Sequence, residues 1–254
     1  DVLGKSHSME HIGIAIGAAL GGIIANFSFK WLMWLSVLPQ LASVFLSYCM
    51  TEPKNQTKKE SNIYVHTKEA IKLFVTNKKL RLLSIADAIS FSTGEVSFQF
   101  RATFFASIWP IWAIGVLNTA LQIGASISFY FSSQMIKYFG HAKLLLIRSI
   151  VGKVSSLVAF GIPCILSPII TFFPSFFYGS GQVAKNTLMQ QEFSSHQRAT
   201  MSSLNSLLSN ISFAIMSILV GIVADRTTPQ IALLGITIIS IPIISIYYKL
   251  FTEK

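Results

Sequence analysis

The segment TEPKNQTKKESNIYVHTKEAIKLFVTNKKLR, residues 51–81, is the one long polar stretch in a chain of 254 residues that is otherwise rich in apolar side chains. It carries eight Lys and Arg residues but only three Glu residues. Apolar segments lie on both sides of it, and positive charge beside membrane spans is retained on the cytoplasmic face. The segment therefore predicts a cytoplasmic loop that separates a short first part of the chain from a long second part.

The composition predicts an all-α integral membrane protein. Hydrophobic residues make up 52% of the chain and charged residues only 12%, and the mean hydropathy is +0.59. A soluble domain carries about 25% charged residues. Apolar runs of about 20 residues, the length that crosses a bilayer core, recur along the chain. We attribute the net charge of +10 to inner loops that face anionic lipid rather than to a nucleic-acid partner.

Eight transmembrane helices are predicted from these apolar runs, at residues 10–27, 31–50, 80–105, 111–131, 144–166, 169–189, 199–223 and 230–250. Three units follow: residues 1–50 with two spans, the basic loop 51–81, and residues 82–254 with six spans. Inside the loop, residues 67–75 predict a short interfacial helix capped by Thr67, and residues 132–143 predict a second inner loop. Most of the 20 Lys and Arg residues fall on one side, which places both ends of the chain in the cytoplasm.

Four of the predicted spans carry polar side chains at a spacing of three or four residues, which places them on one helix face. We expect these faces to surround a wet cavity, with apolar helices outside them. The alternative is that the Ser and Asn side chains join helices through hydrogen bonds. The candidate substrate- or ion-binding residues are Glu95, Asp87, Asn118, Gln122, Tyr178, Gln182, Lys185, Asn186 and Asn205.

The two acidic residues of the third span have more than one interpretation. A carboxylate at the bilayer centre costs roughly 2.5–3.5 kcal/mol, so it should face water or a partner. Glu95 lies near mid-depth and predicts either a substrate or proton site or an ion pair with Lys185, Lys153 or Arg101. Asp87 lies nearer the inner end, which favours an ion pair. Both lysines could instead extend to the inner surface.

Small residues in the first span predict close helix packing. Gly13, Gly17, Gly21 and Gly22 repeat at short intervals around Ala18, and such spacing lets two backbones approach closely. The fourth span contains a matching series of small residues, namely Ala120, Gly124 and Ser128. We therefore expect the first and fourth spans to pack against each other through these two series.

Three motifs resemble the major facilitator superfamily of secondary transporters. The glycine series resembles the family's fifth-span antiporter motif G-x-x-x-G-P-x-x-G-G, with Ala18 at the proline position. Phe139-Gly140 with Lys143 resembles a degenerate copy of a conserved loop motif, and RATMSSLNS at residues 198–206 resembles a loop of efflux-type members. The resemblance implies that this chain holds family spans five to twelve. These are the last two spans of the N-terminal half and the complete six-helix C-terminal half, with the first four spans missing.

The resemblance implies transport of a small solute by alternating access, coupled to H+ or Na+, with efflux and antiport favoured. It places the protein in the plasma membrane, with lipid, the solute, the ion and the missing spans as partners. No enzyme activity, cofactor, metal or nucleic-acid partner is expected. His7-x-x-Glu10-His11 matches a zinc protease pattern, but it adjoins a membrane span and has no identifiable third ligand. The alternative function is a membrane sensor, a scaffold or a truncated remnant that keeps the fold without transporting.

Overall fold

A computed structural model describes residues 2–51, 63–193 and 198–252, and these ranges are helical throughout apart from short connections. The helices are α1 Val2–Phe27, α2 Phe29–Leu35, α3 Val37–Cys49, α4 Ile63–Thr76, α5 Lys78–Phe105, α6 Ile111–Tyr130, α7 Ser132–Phe139, α8 His141–Gly161, α9 Ser167–Ile170, α10 Ser175–Gln191, α11 Arg198–Arg226, α12 Pro229–Ile239 and α13 Pro242–Thr252. The predicted all-α class is confirmed for the described part of the chain.

Six long helical elements form a bundle around a central space: α5, α6, α8, α10, α11 and the pair α12–α13. Apolar residues pack in one cluster around Phe105 and Phe160 and in another around Leu80 and Met189. Helix α1 lies along α6, while α2 and α3 pack mainly against α1 and each other. No residue of α3 is buried, so α3 presents apolar side chains such as Phe45 to the surroundings.

Six segments are long and apolar enough to cross a membrane, namely Gly4–Ala25, Phe29–Cys49, Ile111–Tyr130, His141–Gly161, Arg198–Arg226 and Pro229–Thr252. The protein is therefore a multi-pass helical membrane protein. The two other predicted spans correspond to α5 and α10, which have the more polar compositions because they carry Asp87, Glu95 and Lys185. The count of eight spans stays a prediction.

Several predicted spans are interrupted where proline removes a backbone donor. The second span divides into α2 and α3 at Ser36, and the eighth divides into α12 and α13 after Ile239. Pro39 and Pro242 have no N–H to donate to the carbonyl four residues earlier, so the helical ladder stops there. The predicted inner loop at residues 132–143 contains α7, which ends at Gly140 with a φ of 76°, a conformation that favours glycine.

The basic segment contains a helix, as predicted, but its start differs. Residues 52–62, with several of the predicted loop cations, lie outside the described residues. Helix α4 begins at Ile63, so the predicted cap at Thr67 is wrong and Thr67 lies inside the helix. Asn77 caps the next helix instead, because its Oδ1 accepts a hydrogen bond from the Leu80 N–H at 3.0 Å. The cytoplasmic orientation of this segment stays a prediction.

The first and fourth predicted spans do pack together, but through a different face of α1. The Ser126 hydroxyl donates to the Ser8 carbonyl at 3.0 Å, and Ala15 is buried in the same contact. At 3.6 residues per turn, Gly13 and Gly17 lie on the opposite side of the helix from this face. A Cβ atom at Gly13 or Gly17 would meet no atom within 4 Å among the described residues.

The rest of the two small-residue series shows the same difference. A Cβ atom at Gly22 would meet nothing within 4 Å, and one at Gly21 would meet only Leu32 of α2. Gly124 of α6 faces α10, where an added Cβ would overlap the Ser175 side chain. The expectation that the two series meet is therefore wrong for the described residues, because side-chain spacing does not determine which face of α1 turns toward α6.

Close packing does depend on glycine where α10 crosses α6. A Cβ atom at Gly179 would overlap both the ring and the backbone nitrogen of Phe129. We expect Gly179→Ala to lower the free energy of unfolding by about 1–3 kcal/mol, because backbone cannot yield as a flexible side chain can. Gly115→Ala, whose Cβ has open space, should be neutral or stabilising by up to about 1 kcal/mol. Thermal unfolding in detergent compares the two, and equal midpoints would contradict this packing.

Candidate functional site

The helices of the bundle line a main cavity of about 590 Å³. Helices α1, α5, α6, α8, α10, α12 and α13 contribute to its wall, along with Thr171 and Pro174 between α9 and α10 and Ser240 between α12 and α13. The volume lies within the range of about 300–1,000 Å³ typical of small-molecule sites. The predicted residues that line it are Glu95, Asp87, Gln122, Tyr178, Gln182 and Lys185.

A second cavity of about 370 Å³ lies between α5, α10 and α11. The predicted residues Asn186 and Asn205 line this second cavity and not the main one. Asn118 lines neither cavity. The residues shared by both walls are Asp87, Phe91, Gln182 and Lys185. These four side chains therefore form a partition between the two cavities.

An ion pair lies at the centre of this partition. The Lys185 ammonium donates to Asp87 Oδ1 at 2.6 Å, and the Asn205 amide donates to Asp87 Oδ2 at 2.7 Å. The Lys185 and Asp87 side chains are only 11% and 8% exposed. Three helices, α5, α10 and α11, are thereby joined at one carboxylate. Lys185, one of the three partners predicted for Glu95, therefore pairs with Asp87 instead.

The Glu95 carboxylate has a different environment. It is half-buried and lines the main cavity. Within the described ranges, no side chain forms an ion pair with it within 4 Å or donates a hydrogen bond to it. Arg101 attracts it over a longer distance, while the Arg101 guanidinium lies 4.4 Å from the centre of the Phe98 ring. Glu95 therefore presents an open carboxylate to the cavity.

His11 of α1 reaches the cavity from outside the six-helix bundle. Its Nδ1 donates to Gln122 Oε1 at 2.6 Å, and its ring stacks on Phe129 with centroids 5.0 Å apart. The edge contact with Tyr178 extends the cluster to α10. Sequence patterns suggested only a metal role for this histidine, and the described residues contain no group of three side chains that could hold a metal ion. His7 instead contacts Glu10, at 2.8 Å.

Helix α8 supplies a polar face that the sequence interpretation missed. Its polar side chains in the main cavity are Arg148, Ser149, Lys153 and Ser156, and Gly152 lines the cavity beside them. Their spacing of three and four residues is a visible signal, but the cytoplasmic charge bias of the sequence accounts equally well for a cation at Arg148. Arg148 donates to Gln182 Oε1 at 3.1 Å and lies 5.0 Å from the Tyr178 ring centre. The wall of the cavity is therefore more cationic than the predicted residues alone indicate.

A third polar contact lies at the end of the bundle near the basic segment. Glu192 pairs with Lys79 at 2.6 Å and accepts a hydrogen bond from the Asn77 amide at 3.0 Å. Burial alone would raise the pKa of Glu192, but the two hydrogen bonds and the Lys79 charge outweigh burial. The pKa therefore lies below its ordinary value of 4.5. The contact joins the end of α10 to the start of α5.

Acid should weaken this contact. Because the pKa of Glu192 is lowered by folding, its stabilisation is complete above the ordinary value and is lost as pH falls through the lower, folded value. We expect an effect below about 1 kcal/mol, since the Lys79 side chain is 49% exposed and solvent screens the pair. Thermal midpoints at pH 7 and below pH 4.5 should differ less in Glu192→Gln than in the natural protein. Asp225→Asn, an exposed control, should leave the difference unchanged; an unchanged difference in Glu192→Gln would contradict the assignment.

Apolar helices around a charged internal cavity define the class: a multi-pass membrane protein with a solute-sized central site. The family model described as Major Facilitator Superfamily matches residues 2–215, so this chain belongs to that superfamily. Among solved structures, it is similar to a mutant of the nucleoside transporter NupG, with 18% identity and a TM-score of 0.71. The match covers 94% of this chain and 66% of that one, so this chain spans just under two thirds of the transporter's length. No curated protein shows significant similarity to the sequence.

Proposed function

We propose that this chain forms the cavity of a secondary transporter that moves a small solute across the membrane by alternating access. The observation that carries the proposal is the main cavity of about 590 Å³, which is lined by charged side chains in a membrane-spanning bundle. Ionisable groups at membrane depth are costly, and where they occur they face a cavity or a partner and mark solute and ion pathways. Membership of the superfamily supports the same conclusion.

The two cavities suggest how access alternates. In this proposal the solute passes between them when the partition around Asp87 and Lys185 opens. The contact of α1 with α6 is extensive but contains few side-chain hydrogen bonds among the described residues, from Ser8 to Ser126 and from His11 to Gln122. Two bundles that rock about a central site need such a surface, because one half must turn against the other without separating.

The open carboxylate of Glu95 supports coupling to an ion, and we propose H+ ahead of Na+. A carboxylate without a fixed partner can take up a proton when the cavity faces one side and release it on the other. A Na+ site needs several converging oxygen ligands. Among the described residues, Glu95 has no second carboxylate beside it in the cavity wall. The glycine series of α1 resembles an antiporter motif but departs from it at Ala18, which replaces the proline; the resemblance of residues 198–206 to efflux-type members favours export.

Flux measurements in proteoliposomes test the proposal. The protein is reconstituted with an imposed pH gradient, and labelled solutes are followed, starting with uridine because the NupG likeness concerns a nucleoside transporter. We expect protein-dependent flux that a protonophore removes. Flux that is unchanged by the gradient would contradict proton coupling. Ligand-induced stabilisation without flux of any solute would favour the sensor or scaffold alternative.

A further inference from the structure

Charge is distributed unequally over the main cavity. Its wall contains four cationic side chains and two acidic ones, namely Arg101, Arg148, Lys153 and Lys185 against Asp87 and Glu95. Lys185 is neutralised by Asp87, and Arg101 lies within the field of Glu95. The remaining two cations, Arg148 and Lys153, both belong to α8. No acidic side chain within the described ranges pairs with either of them.

These two cations are costly where they lie. Each must be taken out of bulk water at membrane depth, and each repels the other. A buried charge in a protein is normally paired with an opposite charge. A pair of neighbouring cations that face a solute-sized cavity therefore indicates that the opposite charge is brought by the solute.

Arg148 is held in a fixed position. Its guanidinium lies over the Tyr178 ring and donates one hydrogen bond to Gln182, at 3.1 Å. A guanidinium has five N–H donors, so others remain for a ligand, in the planar fork that matches a carboxylate or phosphate. Gly181 gives it room, because an added Cβ there would overlap Arg148 Cδ. The neighbouring helix is thus shaped around the arginine.

The rest of the wall is suited to an organic body. Phe91, Phe160 and Tyr178 line the same cavity, and Tyr178 packs edge-on against the rings of His11 and Phe129. The volume of about 590 Å³ exceeds what an inorganic ion needs. The cavity therefore combines one cationic wall with a remainder in which aromatic rings stand among hydroxyl-bearing and aliphatic side chains.

We propose that the solute is an organic anion, a carboxylate or a phosphate monoester. Its charged group lies between Arg148 and Lys153, and its apolar body packs against Tyr178 and the phenylalanine rings. This inference rests on the proposed transport function and narrows its substrate class. NupG is a nucleoside transporter, and a nucleoside is a neutral solute, so the two substrate classes can be separated by experiment.

Four probes that share one ring and differ in charge test the wild-type protein without any mutation. Phenylacetate, benzyl phosphate, benzyl alcohol and benzyltrimethylammonium are titrated into the purified protein in a calorimeter. We expect one or both anions to bind at least about tenfold more tightly than the alcohol, since charge-assisted hydrogen bonds are the stronger ones. The two anions distinguish carboxylate from phosphate. Equal binding of all four probes, or a preference for the ammonium, overturns the inference.

Two variants test the residues. Arg148→Gln should weaken binding of the preferred anion about tenfold or more and leave benzyl alcohol unaffected, whereas Lys137→Gln, a control on α7 outside the cavity wall, should change neither. Gly181→Ala keeps every charge but displaces the flexible Arg148 side chain, so it should weaken the anion in the same direction. Loss of all probes alike in Arg148→Gln counts against the inference.

The flux assay separates the two levels of the proposal. Protein-dependent flux of uridine, with no preference for either anion in calorimetry, overturns the anion inference and leaves the transport function standing. Binding of the anions without flux of any solute leaves the anion inference standing and overturns the transport function. Flux of an anion that falls in Arg148→Gln and not in Lys137→Gln supports both.

Discussion

Replacing Lys185 by Met should lower the free energy of unfolding by about 3–5 kcal/mol, the cost of leaving one charge of a buried pair uncompensated. The Asp87 carboxylate would then keep only the Asn205 amide, which donates to Oδ2 at 2.7 Å. Met fills a similar volume, so the loss should come from charge rather than from a cavity. Thermal unfolding in detergent and the amount of folded protein in the membrane both measure this effect.

A second substitution identifies the cause of that loss. In the double variant Asp87→Asn, Lys185→Met, no charge remains, and an amide at residue 87 can still bond Asn205. We expect most of the stability to return, because removing both partners of a buried pair costs far less than removing one. Lys79→Met, which breaks the partly exposed pair with Glu192, should cost less than about 1 kcal/mol. The pairing would be refuted if Lys185→Met were as stable as the natural protein. It would also be refuted if the double variant were no more stable than Lys185→Met.

Glu95→Gln should remove the component of solute flux that a pH gradient drives, without loss of expression or folding. The amide keeps the shape of the carboxylate but cannot exchange a proton. Since no described residue pairs with Glu95, the folded structure has no bond to lose. Uptake driven by an imposed pH gradient is compared with solute exchange at equal pH, which should persist because exchange requires no net proton movement.

The matched control for this variant is Asp225→Asn, which removes an exposed carboxylate at the end of α11, away from both cavities. It should leave both fluxes unchanged. Normal gradient-driven flux in Glu95→Gln would eliminate Glu95 as the proton carrier. Loss of exchange together with gradient-driven flux would assign the residue to solute binding rather than to coupling.

The polar faces of α5 and α10 were predictable because they depend on spacing within one helix. Glu95, Gln182 and Lys185 were singled out from intervals of three and four residues, and all three line the main cavity. The same reasoning failed for Asn118, which occupies the predicted face of α6 but lines neither cavity. Spacing shows which side chains share a face, not how far along the helix the cavity extends.

Helix α8 shows a second limit. Arg148 and Ser156 lie at four-residue intervals with Gly152, and Lys153 lies four residues after Ser149, yet a cation near a helix end is equally compatible with the inner surface. Only the packing of α8 against α10, where Gly181 leaves space and Gln182 accepts a hydrogen bond, directs Arg148 into the cavity. His11 was likewise hidden, because its partner Gln122 lies on a helix far away in the chain.

Hydropathy and residue period were enough to predict a multi-pass helical protein and the polar faces of α5 and α10, while short motifs carried the resemblance to the superfamily. These properties are local, so a short window of residues contains them. The pairing of Lys185 with Asp87, the open carboxylate of Glu95 and the outward position of Gly13 and Gly17 required the packed bundle. Each depends on how far a helix is rotated and shifted against its neighbours, and many weak contacts across the whole molecule decide that rotation.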